Sequence, residues 1–546
     1  MPRLLLLLLL VAASVLCDVA ASGAVVRTRQ GALRGTSRAA SEGRRFLAFY
    51  RIPYARPPVG PLRFRSPQPP DAWPHIRDAT TLGPVCTQYA TFVPGRSLMG
   101  AEDCLYLNVF TPELRPEEPF PVMFWIHGGG WIDGGSNSYE PDFLLNHDIV
   151  LVTINYRLGP LGFLSTEDAA APGNFGLKDQ TAALRWVREN IAAFGGDPAS
   201  VTIFGESAGG ASVHYHMLSP LSRGLFHRAI SQSGVSLNAW AVPRPGGLQK
   251  AQKVAALVGC PTEPSAALVD CLRTVDDYKI ANTTSHFSEW LFFPFIPFRP
   301  AVEGETEDSF MPKHPLDLKP HTAVPWLTGV THDEGILLAA ACVANKQILE
   351  DLKQDGDRLF PMTLSYDGAP QADLVTKKIK DFYFSNGEIT IDKVKELYSD
   401  GLFVWNTDEA VRKYKDIAPV YYYRLSYKGK YGMSKISGAG DVDLGVAHAD
   451  DLFYLFSNNP YYPPADGMPE KDYEIVKTMT KLWTDFAKTG NPTPNNDPLH
   501  WPRVSSDGEL EFVEIGEQLQ LKKGLFQERM DFWVSLPLRQ NKRSSP

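Results

Sequence analysis
The run Val201-Thr202-Ile203-Phe204 passes without a break into Gly205-Glu206-Ser207-Ala208-Gly209, and a helical stretch follows as far as Met217. A short apolar run bounded this way reads as a buried strand. Turning it directly into a helix requires small residues on both sides of the serine. The same turn lifts the hydroxyl to the N-terminus of the helix. No other G-x-S-x-G occurs in the chain. Such a turn belongs at the carboxyl edge of a sheet whose strands are followed by helices, which is where ligands of those sheets bind.

Other segments supply that sheet. Val122 to Ile126, Ile149 to Ile154 and Trp326 to Val330 are also short apolar runs with strand character. An amphipathic helix is expected from Lys178 to Phe194, because Leu184, Val187, Ile191 and Phe194 share one helical face. Gly195-Gly196-Asp197-Pro198 closes it. A further helix is expected over Tyr473 to Lys488. Strands alternating with helices give an α/β fold, a mostly parallel central sheet with helices on both faces. With the serine turn included, the expected class is the α/β-hydrolase fold. No internal repeat or Gly/Ser-rich linker divides the chain, so one domain is expected over residues 22–546.

Charge and composition exclude several alternatives. The 546 residues carry 54 Lys+Arg against 62 Asp+Glu, a net charge of −8. Without a basic block, nucleic acid is not an expected partner. Residues 1–21 read as a secretory signal peptide: one Arg, a leucine run from Leu4 to Leu10, then small residues. Cleavage is expected after Cys17 or a few residues later, near Ala21. The apolar run is shorter than the roughly 18 residues a spanning helix needs. The polar stretch 539–546 shows no GPI signal or ER-retention tetrapeptide. A secreted protein without a membrane anchor is therefore expected. Removal of Cys17 leaves an odd number of cysteines. Spacing suggests the pairs Cys86–Cys104 and Cys260–Cys271, with Cys342 as a small buried apolar side chain. Asn282-Thr283-Thr284 is the one sequon, which makes Asn282 the expected glycosylation site.

The chemistry follows from what lies at the strand ends. His127-Gly128-Gly129-Gly130 comes directly after the strand ending at Ile126, and successive glycines leave backbone N–H groups open to an oxyanion. Gly129, Gly130 and Ala208 are the expected donors, while His127 is expected to hold the loop. In this fold the acid precedes the base, and both follow the serine. Asp333 and Glu334 stand at the end of the strand Trp326 to Val330, which leaves His448 and His500 as bases. His500 lies beyond the last convincing helix, so His448 is the expected base. Glu334 is the expected acid, with Asp333 as the other carboxylate in reach. No H-E-x-x-H or P-loop pattern is present, so no metal and no cofactor are expected.

With these residues in place, the chain resembles the type-B carboxylesterases of the cholinesterase-like family, and the insect esterases among them. The resemblance rests on Glu102 to Asn108, the His-Gly-Gly-Gly turn, Asn155-Tyr156-Arg157, Gly173 to Leu177 and Phe204 to Gly210. It continues through Ser231-Gln232-Ser233-Gly234, Asp333-Glu334-Gly335 and Asn491-Pro492-Thr493. It implies Ser207 as nucleophile, Glu334 as acid, His448 as base and Gly129, Gly130 and Ala208 as the oxyanion hole. Both cysteine pairs match family positions. It also implies substrate-pocket roles for Glu206, Trp131, Trp240 and Phe292. Trp240 matches the acyl side of the cholinesterase gorge, and Phe292 belongs to an aromatic run (Phe287 to Phe298) where the family builds its acyl pocket.

Some residues depart from the family pattern. The Cys86–Cys104 loop lacks the tryptophan that holds quaternary ammonium in cholinesterases, so a choline ester is a poor expectation. Juvenile hormone esterases typically show glutamine where Glu206 precedes the serine. Ala449 follows His448 where cholinesterases have glycine. The implied function is a secreted serine carboxylesterase acting on small-molecule xenobiotic, dietary or ester-pheromone/odorant substrates through an acyl-enzyme. The alternatives are a juvenile-hormone-type esterase and a non-catalytic adhesion protein on the same fold. Adhesion relatives have usually lost a triad residue, and here Ser207, Glu334 and His448 are all present.

Overall fold
The computed structural model describes residues 24–91, 97–385, 387–457, 464, 467–494, 500–505 and 509–539. The expected signal peptide lies outside the described residues, as does 540–546. The frame is an eleven-stranded sheet. In chain order its strands are β1 (Thr36–Ala39), β2 (Arg45–Pro53), β3 (Tyr106–Thr111), β4 (Phe120–Ile126), β5 (Val150–Ile154) and β6 (Gly196–Glu206). They continue with β7 (Arg228–Gln232), β8 (Trp326–Thr331), β9 (Val420–Leu425), β10 (Glu511–Ile515) and β11 (Leu519–Lys523). The spatial order is β11-β10-β9-β8-β7-β6-β4-β5-β3-β2-β1. Every pairing from β10 through β5 is parallel. Antiparallel strands close both edges.

The central strands are apolar on both faces because both faces are covered. Along β4, Val122, Phe124 and Ile126 enter one core cluster, while Met123 and Trp125 enter the other. Helix α1 (Phe175–Asn190) packs Leu177, Leu184 and Val187 into the first cluster. Helix α4 (Glu470–Thr489) packs Val476, Met479, Trp483 and Phe486 into the second. Two further helices, α2 (Ala208–Leu218) and α3 (Ile336–Ala344), each begin just after a strand.

The helix expected from Lys178 starts three residues earlier, and its last turn, Ile191–Phe194, tightens to a 3-10 helix. The loop expected at Gly195 to Pro198 is partly strand: β6 begins at Gly196, with a register shift against β4 between Gly196 and Val201. Pro198 accounts for that break, since it has no N–H to give to a ladder. Both expected disulfides, Cys86–Cys104 and Cys260–Cys271, are formed, and Cys342 is a buried free thiol. Each closes a short loop and so stabilises by about 3 kcal/mol in the chain-entropy account.

Candidate active site
Ser207 occupies the single residue between β6 and α2, with φ 57° and ψ −121°. A non-glycine residue at positive φ is strained by about 1–3 kcal/mol, and the surroundings must enforce it. They do so by crowding. A Cβ at Gly205 would stand 2.5 Å from Ile126 O, and one at Gly209 would come closer still to the same oxygen. The Ser207 N–H donates to Gln232 O at 2.8 Å, tying the turn to the end of β7.

The glycine loop after β4 lies against this turn. A Cβ at Gly128 would sit 2.8 Å from Glu206 O and 3.2 Å from Ser207 Cβ. Gly129 and Gly130 both have positive φ. His127 is buried, with its ring stacked on Tyr156 at 4.3 Å and its Nδ1 2.9 Å from Gly128 O. Burial pushes its pKa down to about 4. It is therefore a neutral brace for the loop.

Glu334 follows β8 and is fully buried. Its Oε1 accepts from Ser233 Oγ at 2.6 Å and from Thr331 N at 2.7 Å. Its Oε2 lies 2.6 Å from Nδ1 of His448. Asp333 does different work. Its Oδ2 accepts from Val446 N at 3.1 Å, and its Oδ1 pairs with Lys395 at 3.2 Å. Glu334 thus meets the imidazole, while Asp333 holds the loop that carries it. The imidazole packs on Phe403, ring centres 4.4 Å apart. Its Nε2 is 3.0 Å from Glu206 Oε1, and no hydrogen bond links it to Ser207 Oγ.

Electrostatics couple these groups. Burial raises the Glu206 carboxyl well above its ordinary value. Burial alone would lower His448, but the charges of Glu206 and then Glu334 more than offset it and raise it to about 9. Asp451, also buried, accepts from Gln232 Nε2 at 2.8 Å and from Tyr423 OH at 3.2 Å. Burial raises it to about 6.

Of the residues expected in the pocket, Glu206 is buried against the imidazole. Trp131 and Trp240 have no exposed surface; their indole N–H groups donate to Ser212 Oγ at 2.9 Å and Leu402 O at 2.8 Å. The two rings lie 5.8 Å apart, and Trp240 also meets Phe295 and Phe403. Phe292 is half-buried and packs on Phe293 and Phe295. Asn282 is exposed at the end of a short helix, and His500 is also exposed. Sequence reasoning missed Ser233, the hydroxyl that steadies Glu334. Its position at the end of the strand next to the serine strand was the available signal. Among the described residues, no cluster of His, Cys, Asp and Glu could hold a metal ion.

An open, mostly parallel sheet presenting these groups at its carboxyl edge is the α/β-hydrolase fold. Residues 22–533 match the profile described as the carboxylesterase family, and the chain belongs to that family. It is 38% identical over 538 residues to Venom carboxylesterase-6 of Apis mellifera, covering 95% of each chain. It is 36% identical over 584 residues to Juvenile hormone esterase of Tribolium castaneum, covering 99% of each. Among solved structures, juvenile hormone esterase from Manduca sexta with OTFP covalently attached matches with TM-score 0.82 and 29% identity, over 94% of this chain and 99% of that one. The protein is a carboxylic-ester hydrolase with small-molecule ester substrates. No helix among the described residues is long and apolar enough to cross a membrane.

Proposed function
We propose that this chain is a secreted serine carboxylesterase in which Ser207 is the nucleophile, His448 the general base and Glu334 its orienting acid. The observation that carries the reading is the 2.6 Å contact between Glu334 Oε2 and His448 Nδ1, with the other carboxylate oxygen satisfied by Ser233 and Thr331. That arrangement fixes the proton on Nδ1 and leaves Nε2 to accept one. Nε2 must then turn from Glu206 to Ser207 Oγ, a contact that commonly tightens only when substrate binds.

Ser207 Oγ attacks the ester carbonyl as His448 takes its proton. The N–H groups of Gly129, Gly130 and Ala208 stabilise the oxyanion, each worth roughly 10²–10³ in turnover. His448 returns the proton to the departing alkoxide, leaving an acyl-enzyme. Water, giving a proton to the same imidazole, attacks the acyl carbon; the bond to Ser207 Oγ breaks, the acid leaves, and the imidazolium returns the proton to Oγ. Secretion is supported by the leader-like N-terminus and by two disulfides, and exposed Asn282 suits a glycan. Ring contacts run from Phe292 through Phe295, Trp240 and Phe403 to the imidazole, so the aromatic segment packs on the acyl side of the site, with Trp240 as its buried support.

A juvenile-hormone-type esterase is the second reading, favoured by the two relatives that carry that name. The test is kcat/KM for purified protein on aryl esters from acetate to decanoate and on juvenile hormone, with Ser207→Ala as blank. Turnover that falls by roughly 10⁴-fold or more in the variant supports the assignment. The preferred ester separates the two readings. Turnover that survives in Ser207→Ala, or none on any ester, overturns it.

A further inference from the structure
A cavity of about 430 Å³ is lined by Pro297 and Phe298, at the end of the aromatic segment, and by none of Ser207, Glu334 or His448. Arg244, Lys250, Arg299 and Arg539 line it, against the single carboxylate of Glu167. The remaining wall is largely apolar and includes Phe163, Leu164, Phe298 and Val302.

The charges are unevenly compensated. Arg539 pairs with Asp317 at 3.1 Å, and Arg244 pairs with Asp367 at 2.6 Å and also donates to Ser365 O. Glu167 is occupied by backbone, its Oε1 accepting from Gly246 N at 3.0 Å and Gly247 N at 2.8 Å. His314 accepts from Leu316 N at 3.3 Å; burial and then the Arg539 charge lower it to about 4, so it stays neutral. Lys250 reaches only a carbonyl, Pro297 O at 2.8 Å. Arg299, 7% exposed, donates from Nε to Ile296 O at 3.0 Å, and its buried Nη1 has no acceptor. Among the described residues neither Lys250 nor Arg299 has a carboxylate partner. Burial and then the Arg244 charge pull Arg299 down to about 9, and burial and then Arg299 pull Lys250 down to about 8.

A buried guanidinium with no ion-pair partner is a costly arrangement. The planar guanidinium lining the cavity matches a carboxylate in particular. The cavity lies in the size range of small-molecule sites, and its wall offers hydrocarbon contact around a cationic floor. We propose that this cavity binds a small amphiphilic carboxylate, its head on Arg299 and Lys250 and its chain against Phe163, Leu164, Phe298 and Val302. The site is separate from the serine and does not depend on the function assigned there.

The test is calorimetric titration of full-length wild type, Arg299→Met and Lys250→Met with hexanoate, hexanol and inorganic phosphate. Hexanoate should bind wild type, with affinity falling at least about tenfold in each variant, the factor expected when a desolvated charge contact is lost. Hexanol and phosphate should bind at least about tenfold more weakly than hexanoate. Hexanoate should also raise the Tm of wild type but not of Arg299→Met. Without ligand, Arg299→Met should melt at or above wild type, because an uncompensated charge has gone. A lower Tm would mark Arg299 as a purely structural donor to Ile296 and overturn the proposal. Equal binding by hexanol or phosphate, equal binding by all three proteins, or no binding to wild type would also overturn it. An Arg299→Met chain that does not fold is the extreme of that lower Tm and overturns the proposal likewise, whereas Lys250→Met tests the head-group contact without touching the Ile296 bond.

Discussion
Glu206→Gln is nearly isosteric and removes one charge 3.0 Å from Nε2 of His448. At an effective dielectric of about 20, two unit charges at that separation interact by about 5.5 kcal/mol, and in bulk water by about 1.4 kcal/mol. A tenfold change in a protonation equilibrium is about 1.36 kcal/mol, so even the weaker of these interactions favours the protonated imidazole about tenfold. His448 is raised to about 9 in all, with Glu206 the larger of its two carboxylate neighbours in effect. An imidazole accepts a proton from serine only when neutral, so a raised pKa delays activity until the pH climbs through it. Removing the charge lets the neutral form appear at lower pH. The acid limb of kcat/KM on an aryl ester should therefore move down by at least about 1 pH unit. The assay is a pH–rate profile of both proteins from about pH 5 to about pH 10 at fixed ionic strength. An acid limb that stays in place would refute the coupling. The same change writes the glutamine that juvenile hormone esterases typically carry before the serine, so it also tests whether that residue retunes the base.

Two further substitutions separate neighbouring roles. Glu334→Gln should lower kcat by roughly 10⁴-fold, because an amide no longer enforces the imidazole tautomer. Asp333→Asn should cost less than about tenfold, since an amide oxygen still accepts from Val446 N; equal losses in the two variants would mean that both carboxylates act on the imidazole. Ala449, at φ 69°, sits in left-handed backbone. That conformation costs an L-residue about 1–2 kcal/mol, against about 0.5–1 kcal/mol for the freedom glycine loses on folding. Less the burial of its methyl in the core, Ala449→Gly should therefore stabilise by up to about 1 kcal/mol, read as a higher denaturant midpoint with unchanged slope.

Within the sheet, β4, β5, β6 and β8 were legible because they are buried on both faces, which makes them continuous apolar runs, and α1 and α4 were legible because each has one apolar side. Strands β3, β7, β9 and β10 were not, since Asn108, Arg228 with Ser231 and Gln232, Arg424, and Glu511 with Glu514 break the apolar run, and neither were the edge strands β1, β2 and β11. β1 mixes partly exposed and exposed positions, and β11 is polar and held by its antiparallel partner. The serine turn was legible because its glycines answer a local demand for space. The choice between Asp333 and Glu334 was not local: one residue along a chain leaving a strand points to a different neighbour. Only the docking of the 445–449 loop decides which carboxylate meets the ring. Ser233 was hidden for the same reason, since its hydroxyl matters only once β7 and β8 lie side by side. Glu206 read as a pocket residue by resemblance, and its contact with the imidazole appears only when His448, brought in from far along the chain, is set beside β6.

The carboxylate–imidazole contact joins residues 114 positions apart, and the serine hydroxyl steadying that carboxylate comes from 101 positions upstream. A nascent chain that has already emerged past Ser207 therefore carries its hydroxyl without the means to deprotonate it. With the proposed triad, hydrolytic power arrives late in synthesis, after β9 and the loop behind it have joined the sheet. Recovered turnover in a refolding experiment would accordingly register the assembled sheet, where a spectroscopic signal registers only its helices and strands. A chain cut before residue 448 would keep the nucleophile and stay inert.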